Sequence, residues 1–568
     1  MSYDLLFRGG RIVDGSGLPS YVGDIAIKDG KISEIGRIQG GAVKTINVDG
    51  LVVAPGFIDH HTHMDGQIQW DPYATSEPEH GITSIVMGNC GLALAPVNRG
   101  DEEALVKSFV RVEAIPRAVL EQGIQWGWHS YGDYLDRLEG RLGINVAGLV
   151  GHIAVRQYVL GDASTERPAI AEETQRMKQL VREAMEGGAI GFSTNRNDRH
   201  MREDGKPVPS RLAEDEELFQ LCDALGELNA GVIQINEGQP KIAKHFALYD
   251  HVARRTQRPV VWQIVRYIAS RPNLWKEQLD AVAAIFQSGQ RAYGASSTTP
   301  TVRRFTLKNT QVFDEFPTWK NVMSLPLEAR KQTLADPATR QKFRDDFSDP
   351  RQTLFHRRWD LVKIEKVVNP ENEKYTNKSV ADVAAMRSED PLDAFLDLAL
   401  GENLETSFQN ANSGGDQQAM AEILRSPYVM VGNSDAGAHV QYGAQFGYGT
   451  TLLGLWVRQR GVMSLEQAIH KLTFEVASIY GLAGRGLLQP GYAADLAIFD
   501  PEKIMSCEPE WAQDYPAGTK RLIQRAVGMH YTVVNGRVIC EDGRLSGDLP
   551  GMVLRTPAYK ARGAAAGA

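Results

Sequence analysis

Two histidines one residue apart, His61 and His63, close an apolar run that starts at Val52 and ends Asp59-His60-His61-Thr62-His63-Met64-Asp65. The run is short and rich in Val and Ile, the pattern of a buried parallel strand. Side chains alternate along a strand, so His61 and His63 point the same way at its C-terminal end. Two imidazoles on one face grip one divalent cation, and a neutral imidazole suits zinc and related ions. A bare His-x-His also fits a pair of surface histidines, so the reading needs matching groups elsewhere. Asp435 is one, in Asn433-Ser434-Asp435-Ala436-Gly437-Ala438-His439. Its carboxylate can bind the same cation, take a proton from a water activated there and pass it to a leaving amine. Cys90, in Met87-Gly88-Asn89-Cys90-Gly91, reads as a ligand, as a thiol behind the ligands, or as a small buried hydrophobe. The chemistry these groups suit is metal-assisted hydrolysis.

The elements that must position them are strands alternating with helices, the pattern of parallel βα units. Eight candidate strands fall at 52–58, 83–87, 144–150, 189–193, 231–235, 259–264, 291–295 and 428–432. Helical stripes lie between, as at 171–186, where Met177, Leu180, Val181 and Met185 share a face before Gly187-Gly188. Eight such units predict a (β/α)₈ TIM-like barrel, whose active sites lie at the C-terminal strand ends. Strands one and eight are neighbours in a closed barrel, which brings Asp435 to His61. The other strand ends offer His152 and Arg156, then Asn195, Arg196 and His200, then Gln234, Gln263 and, beyond the last strand, His439. These are the candidate substrate binders. A guanidinium fork matches a carboxylate, so Arg156 and Arg196 either hold one or form structural salt bridges. His152 or His200 could face a developing oxyanion or complete the metal shell.

Residues 3–53 alternate apolar and polar with turns at Asp14-Gly15, Asp29-Gly30 and Asp49-Gly50, and a similar texture returns at 486–545. Both chain ends are therefore expected to build one small β-sandwich domain. It takes residues 1–54 and 483–556, with the barrel at 55–482 and a flexible tail at 557–568. A stretch of about 130 residues parts the last two strands, giving a long insertion at about 298–425. Loops of that size carry structure or a job of their own. We expect it either to cover the active site or to serve oligomer contacts.

A formal net charge of -8 with no Lys/Arg block argues against a nucleic-acid partner. Four cysteines far apart in sequence argue for a reducing, cytoplasmic setting rather than a disulfide framework. No basic-then-apolar leader and no apolar span of about 18 residues is visible, so no membrane partner is expected.

Taken together and in order, several motifs resemble the amidohydrolase superfamily and, within it, the D-aminoacylase (N-acyl-D-amino-acid deacylase) family. They are Gly-Phe-Ile-Asp-His-His-Thr-His from Gly56, Gly-Asn-Cys-Gly from Gly88, Gly-Ala-Ile-Gly-Phe-Ser-Thr from Gly188 and Ser-Asp-Ala-Gly-Ala-His from Ser434. Pro490-Gly491-Tyr492-Ala493-Ala494-Asp495 and Val534-Asn535-Gly536 complete the set. The resemblance spans nearly the whole chain. It implies a metal-bearing barrel with a β-sandwich from both termini. It also implies His61, His63 and Asp435 as ligands of one site, Asp435 as catalytic acid/base, and Cys90 at the position of a zinc-bound thiolate. In that family a histidine after strand five and another after strand six complete the zinc site. Here those places hold Gln234 and Gln263, and neutral amides are poor zinc ligands beside imidazole. The expectation is therefore one divalent ion, zinc before others, rather than two. The implied activity is hydrolysis of the amide C–N bond of N-acyl-D-amino acids or related N-acyl compounds by water on the metal. The alternatives are hydrolysis of another amide, a cyclic amide or a lactone, and a non-catalytic scaffold. The implied partners are a small-molecule substrate and further copies of the chain in a homo-oligomer.

Overall fold

Eight short strands line up in sequence order in one parallel sheet. They are β1 (Phe57–Asp59), β2 (Ile82–Met87), β3 (Asn145–Gly151), β4 (Gly191–Asn195), β5 (Val232–Asn236), β6 (Val260–Gln263), β7 (Ala292–Ser296) and β8 (Val429–Val431). In this computed structural model the described residues are 2–561 except 239–240, 301, 309, 311, 350–354, 356 and 412–414; part of the tail expected at 557–568 thus lies outside them. β2 and β3 are buried at every position, as strands covered on both faces must be. The sheet closes beyond its ordinary ladder. A parallel bridge joins Thr62 to Ala436. There His63 N donates to Ala436 O at 2.7 Å, and Asp435 N donates to His61 O at 3.1 Å. Seven of the expected strands are present within two residues of their places; the first, expected at 52–58, divides at Gly56, so that only Phe57–Asp59 joins the TIM-like barrel while Val52–Pro55 enters the end sheet.

The helices follow their sequence signals. Ala171–Glu186 buries Met177, Leu180, Val181 and Met185. Ser464 and Gln467 form a reciprocal capping box at the start of Leu465–Leu472, with both bonds at 3.1 Å.

Both chain ends enter one nine-stranded sheet. Its seam is the antiparallel pair Val52–Pro55 with Leu496–Phe499, where N-terminal and C-terminal parts meet. Leu5, Phe7, Ile25, Ile27 and Val53 pack there with Leu496, Ile498 and Val533. Val52–Pro55 then runs through Gly56 straight into β1. A Cβ on Gly56 would lie 2.1 Å from Thr83 Oγ1, so only glycine lets the chain pass this close to β2. A short strand at Val553–Leu554 also pairs in parallel with β3.

The chain divides into two compact units. One comprises Met1–Val265, Lys276–Thr298 and Ala421–Ala568, and the other Arg266–Trp275 and Thr299–Met420. The second holds most of the long stretch between β7 and β8. It has a three-stranded antiparallel sheet, with Ser407–Ala411 between Val302–Phe305 and Val362–Lys366. Its core is aromatic: Trp319 stacks on Phe343 at 4.0 Å and on Phe313 at 4.3 Å, with Phe305, Phe395 and Phe408 around them. Among the described residues no helix is long and apolar enough to cross a membrane.

One buried cluster ties the barrel to the end sheet. Arg485 pairs with Asp495, which also accepts from Asn145 Nδ2 of β3 at 3.0 Å and from Asn535 N at 2.7 Å. Replacing Asp495 by alanine strands a buried guanidinium, a loss of about 3–5 kcal/mol. We expect a clearly lower urea midpoint for Asp495→Ala; a midpoint equal to wild type would show that the cluster does not hold the two parts together.

Candidate metal centre

The closing bonds between the ends of β1 and β8 place the candidate ligands. Thr62 turns outward, its N and Oγ1 donating to Val86 O at 3.1 and 2.9 Å. His60 also turns away and stacks on Tyr480 at 6.0 Å. His61 and His63, with side chains 1% exposed, therefore face the barrel mouth, their rings 5.3 Å apart. From the other side the chain passes through left-handed conformations at Asn433 and Asp435, which short polar residues tolerate. Asp435 Oδ1 then lies 3.5 Å from His61 Nε2 and 3.4 Å from His63 Nε2. Its side chain keeps 35% exposure.

Cys90 reaches the same spot from a tight turn after β2. Gly88 has φ +78, and a Cβ there would lie 2.0 Å from Leu149 O, so the turn requires glycine. Cys90 itself has φ 53, and Gly91 N is held by Ser193 Oγ at 2.9 Å. Ligand atoms of His61, His63 and Cys90 all fall within 4.8 Å of one another. Three carboxamides surround the cysteine. Gln234 Oε1 accepts from Cys90 N at 2.9 Å, Asn236 Nδ2 donates to Sγ at 3.5 Å, and Sγ donates to Gln263 Oε1 at 3.1 Å. The other end of the Gln263 amide lies 2.7 and 2.8 Å from the two ring nitrogens of His61 and bonds Asn433.

The charges suit a cation. Burial holds His61 well below the usual imidazole value, which leaves it neutral and able to bind. Burial would lower His63 too, but the Glu113 charge and the Asp435 hydrogen bond raise it. Desolvation would raise Asp435, yet the hydrogen bond and charge of His63, with the charges of His61 and His439, hold its carboxyl below the usual range. Burial raises the Cys90 thiol, against a hydrogen bond from His63. Two imidazoles, one carboxylate and an adjacent sulfur are a donor set that zinc accepts. His63 Nδ1, on the side of the ring away from Asp435, is buried without a hydrogen-bond partner among the described residues.

The remaining sequence candidates part into two groups. His439 and His200 lie at the centre's rim. His439 Nε2 is 3.8 Å from Asp435 Oδ2, and His200 bonds Asn195 at 2.5 Å and is pushed down to about 3 by burial and the nearby His439 charge. His152 and Arg156 lie elsewhere, buried around Glu217. His152 bonds it at 2.8 Å and Thr194 at 2.8 Å, while Arg156 holds its other oxygen and donates to Arg167 O at 3.0 Å. Arg196 is engaged by Glu237 at 2.7 Å and Asp215 at 2.5 Å. Sequence reasoning missed Glu113, whose carboxylate sits 3.7 Å from His63 Nδ1. It caps the helix Glu102–Val112 with no motif around it, so nothing in the sequence marked it.

Residues 44–540 match the sequence model of a family described as the amidohydrolase family. The chain is 27% identical over 559 residues to a D-aminoacylase of Alcaligenes xylosoxydans xylosoxydans, covering 97% of each. It is similar to the structure of an N-acyl-D-glutamate deacylase from Bordetella bronchiseptica complexed with zinc and a phosphonate inhibitor that mimics the tetrahedral intermediate. That match has a TM-score of 0.67 and 25% identity over 98% of this chain and 100% of that one. A D-aminoacylase structure concerned with a binuclear metal centre, one-metal activation and second-metal attenuation gives 0.66 and 26%, over 97% and 100%.

Imidazoles outrank carboxamides for zinc. Gln234→His and Gln263→His together should therefore raise the zinc content of purified protein above that of the wild type, by metal analysis. A double variant with the zinc content of the wild type would show that the carboxamides do not set the count.

Proposed function

The chain belongs to the amidohydrolase family, and we propose that it hydrolyses the amide C–N bond of N-acyl-D-amino acids or closely related N-acyl compounds at one divalent ion, zinc before others. The observation that carries this reading is Asp435 facing both His61 and His63 within 3.5 Å. His61, His63 and Asp435 would hold the ion, with Cys90 beside it. Bound there, it supplies Lewis acidity to a carbonyl and acidity to a water.

The chain's own residues do the rest. Asp435 is ionised and partly exposed, so it accepts the proton of the attacking water and returns it to the leaving nitrogen. Neutral His61 and the stitched backbone at Thr62 and Ala436 keep that carboxylate in register. The carboxamides of Gln234, Asn236 and Gln263 fill the space beside Cys90 and give no second imidazole set, which supports one ion. Arg156 and Arg196 are engaged by buried or half-buried carboxylates, so recognition of a substrate carboxylate falls to other groups at the mouth. Four unpaired cysteines support a reducing, cytoplasmic setting.

Asp435→Ala should cut kcat by about 10²–10⁴-fold on any amide substrate, the usual worth of a positioned general acid/base. Near-wild-type turnover would remove the proton shuttle. A screen of N-acyl-D-amino acids against their L-forms and their C-terminal amides should favour the free D-acid; equal rates on the amide would move the substrate class to neutral amides.

A further inference from the structure

Glu113 belongs to none of the groups that hold the ion or move the proton, yet it is placed against both sides of the centre. It follows the helix Glu102–Val112, and Ala114 next to it adopts a left-handed φ of 54, a bend that turns the chain at the barrel mouth. The side chain is 3% exposed. Oε1 lies 3.7 Å from His63 Nδ1 and Oε2 lies 3.7 Å from His439 Nε2. Its backbone carbonyl accepts from His439 N at 2.7 Å. One residue of the loop after β2 thus touches a β1 ligand and the loop after β8 that carries Asp435.

A buried carboxylate is costly unless something compensates its charge. Its two oxygens face two imidazoles, one of which has no hydrogen-bond partner at Nδ1 among the described residues. An imidazole that binds a cation through one nitrogen carries its proton on the other, and a carboxylate facing that N–H fixes the tautomer and raises ligand basicity.

Resting on the metal-centre reading above, we propose that Glu113 is the positioning residue for His63: its carboxylate, 3.7 Å from Nδ1, favours the tautomer with the proton on that nitrogen, so that Nε2 is presented to the ion beside Asp435, and its contacts with His439 hold the Asp435 loop over the same spot. Glu113 acts through His63 and touches no substrate.

The test is zinc affinity, by chelator competition, for wild type, Glu113→Gln, Glu113→Ala and His63→Ala, with the melting temperature of each metal-free protein. The Gln variant keeps an acceptor and the volume but loses the charge; the Ala variant loses all three. We expect affinity to fall about 10–100-fold, more for Ala than for Gln, while the metal-free Gln protein melts as wild type does. Zinc affinity within twofold of wild type in Glu113→Gln, with His63→Ala having lost its zinc, would overturn the role of Glu113 alone. A His63→Ala protein that keeps stoichiometric zinc would overturn the metal centre itself. A Gln variant whose affinity loss comes with an equally destabilised metal-free protein would make Glu113 structural and end the proposal.

Discussion

Two backbone hydrogen bonds, His63 N to Ala436 O and Asp435 N to His61 O, carry the rest of the site. They close the barrel between its first and last strands. They also fix the register of three candidate ligand side chains contributed by segments more than 370 residues apart in sequence. A barrel closes only if strand tilt and stagger agree around the whole ring, so all eight strands determine where Asp435 meets His61 and His63. The ligand cluster is therefore a product of the complete barrel rather than of any one loop.

The chain secures that closure from outside as well. β1 is the continuation of Val52–Pro55, a central strand of the end sheet, and the glycine between them lets the backbone pass against Thr83. The C-terminal part of the chain then lies on the other side of Val52–Pro55, and Asp495 joins Arg485 to Asn145 of β3. The strand bearing the histidines is thus clamped by both termini of the molecule. Packed interiors resist small displacements, so a ligand pair anchored this way has little freedom to splay.

Burial and neighbouring charges give the polar groups at the mouth distinct electrostatic work. His61 is kept neutral, Asp435 is kept ionised, and Glu113 is pushed up to about 7 by burial while the His63 charge opposes it. The residues that could have brought imidazoles around Cys90 are carboxamides instead, and they bond to one another and to the cysteine. Their neutrality leaves the charge of the site concentrated on one side, around Asp435, Glu113 and His63.

The strands and the shared end sheet were legible in the sequence, because apolar periodicity and turn residues decide them, and the His61-x-His63 spacing marked one half of the candidate centre. The helix 171–186, the capping box at Ser464 and the turn at Cys90 are equally local. The fates of Arg156 and His152 were not: each has its partner, Glu217, more than sixty residues away on the helix Asp215–Glu227. Arg196 likewise meets Glu237 across a neighbouring strand end. Glu113 is the sharpest case, since only the folded chain brings the end of a helix onto a histidine of β1. Sequence alone determined which residue types stand at strand ends, because strand alternation is a property of the backbone. Tertiary structure decided which of them face the candidate centre and which are spent neutralising buried charge, because that choice depends on partners distant along the chain and on the cost of leaving an ion unpaired away from water.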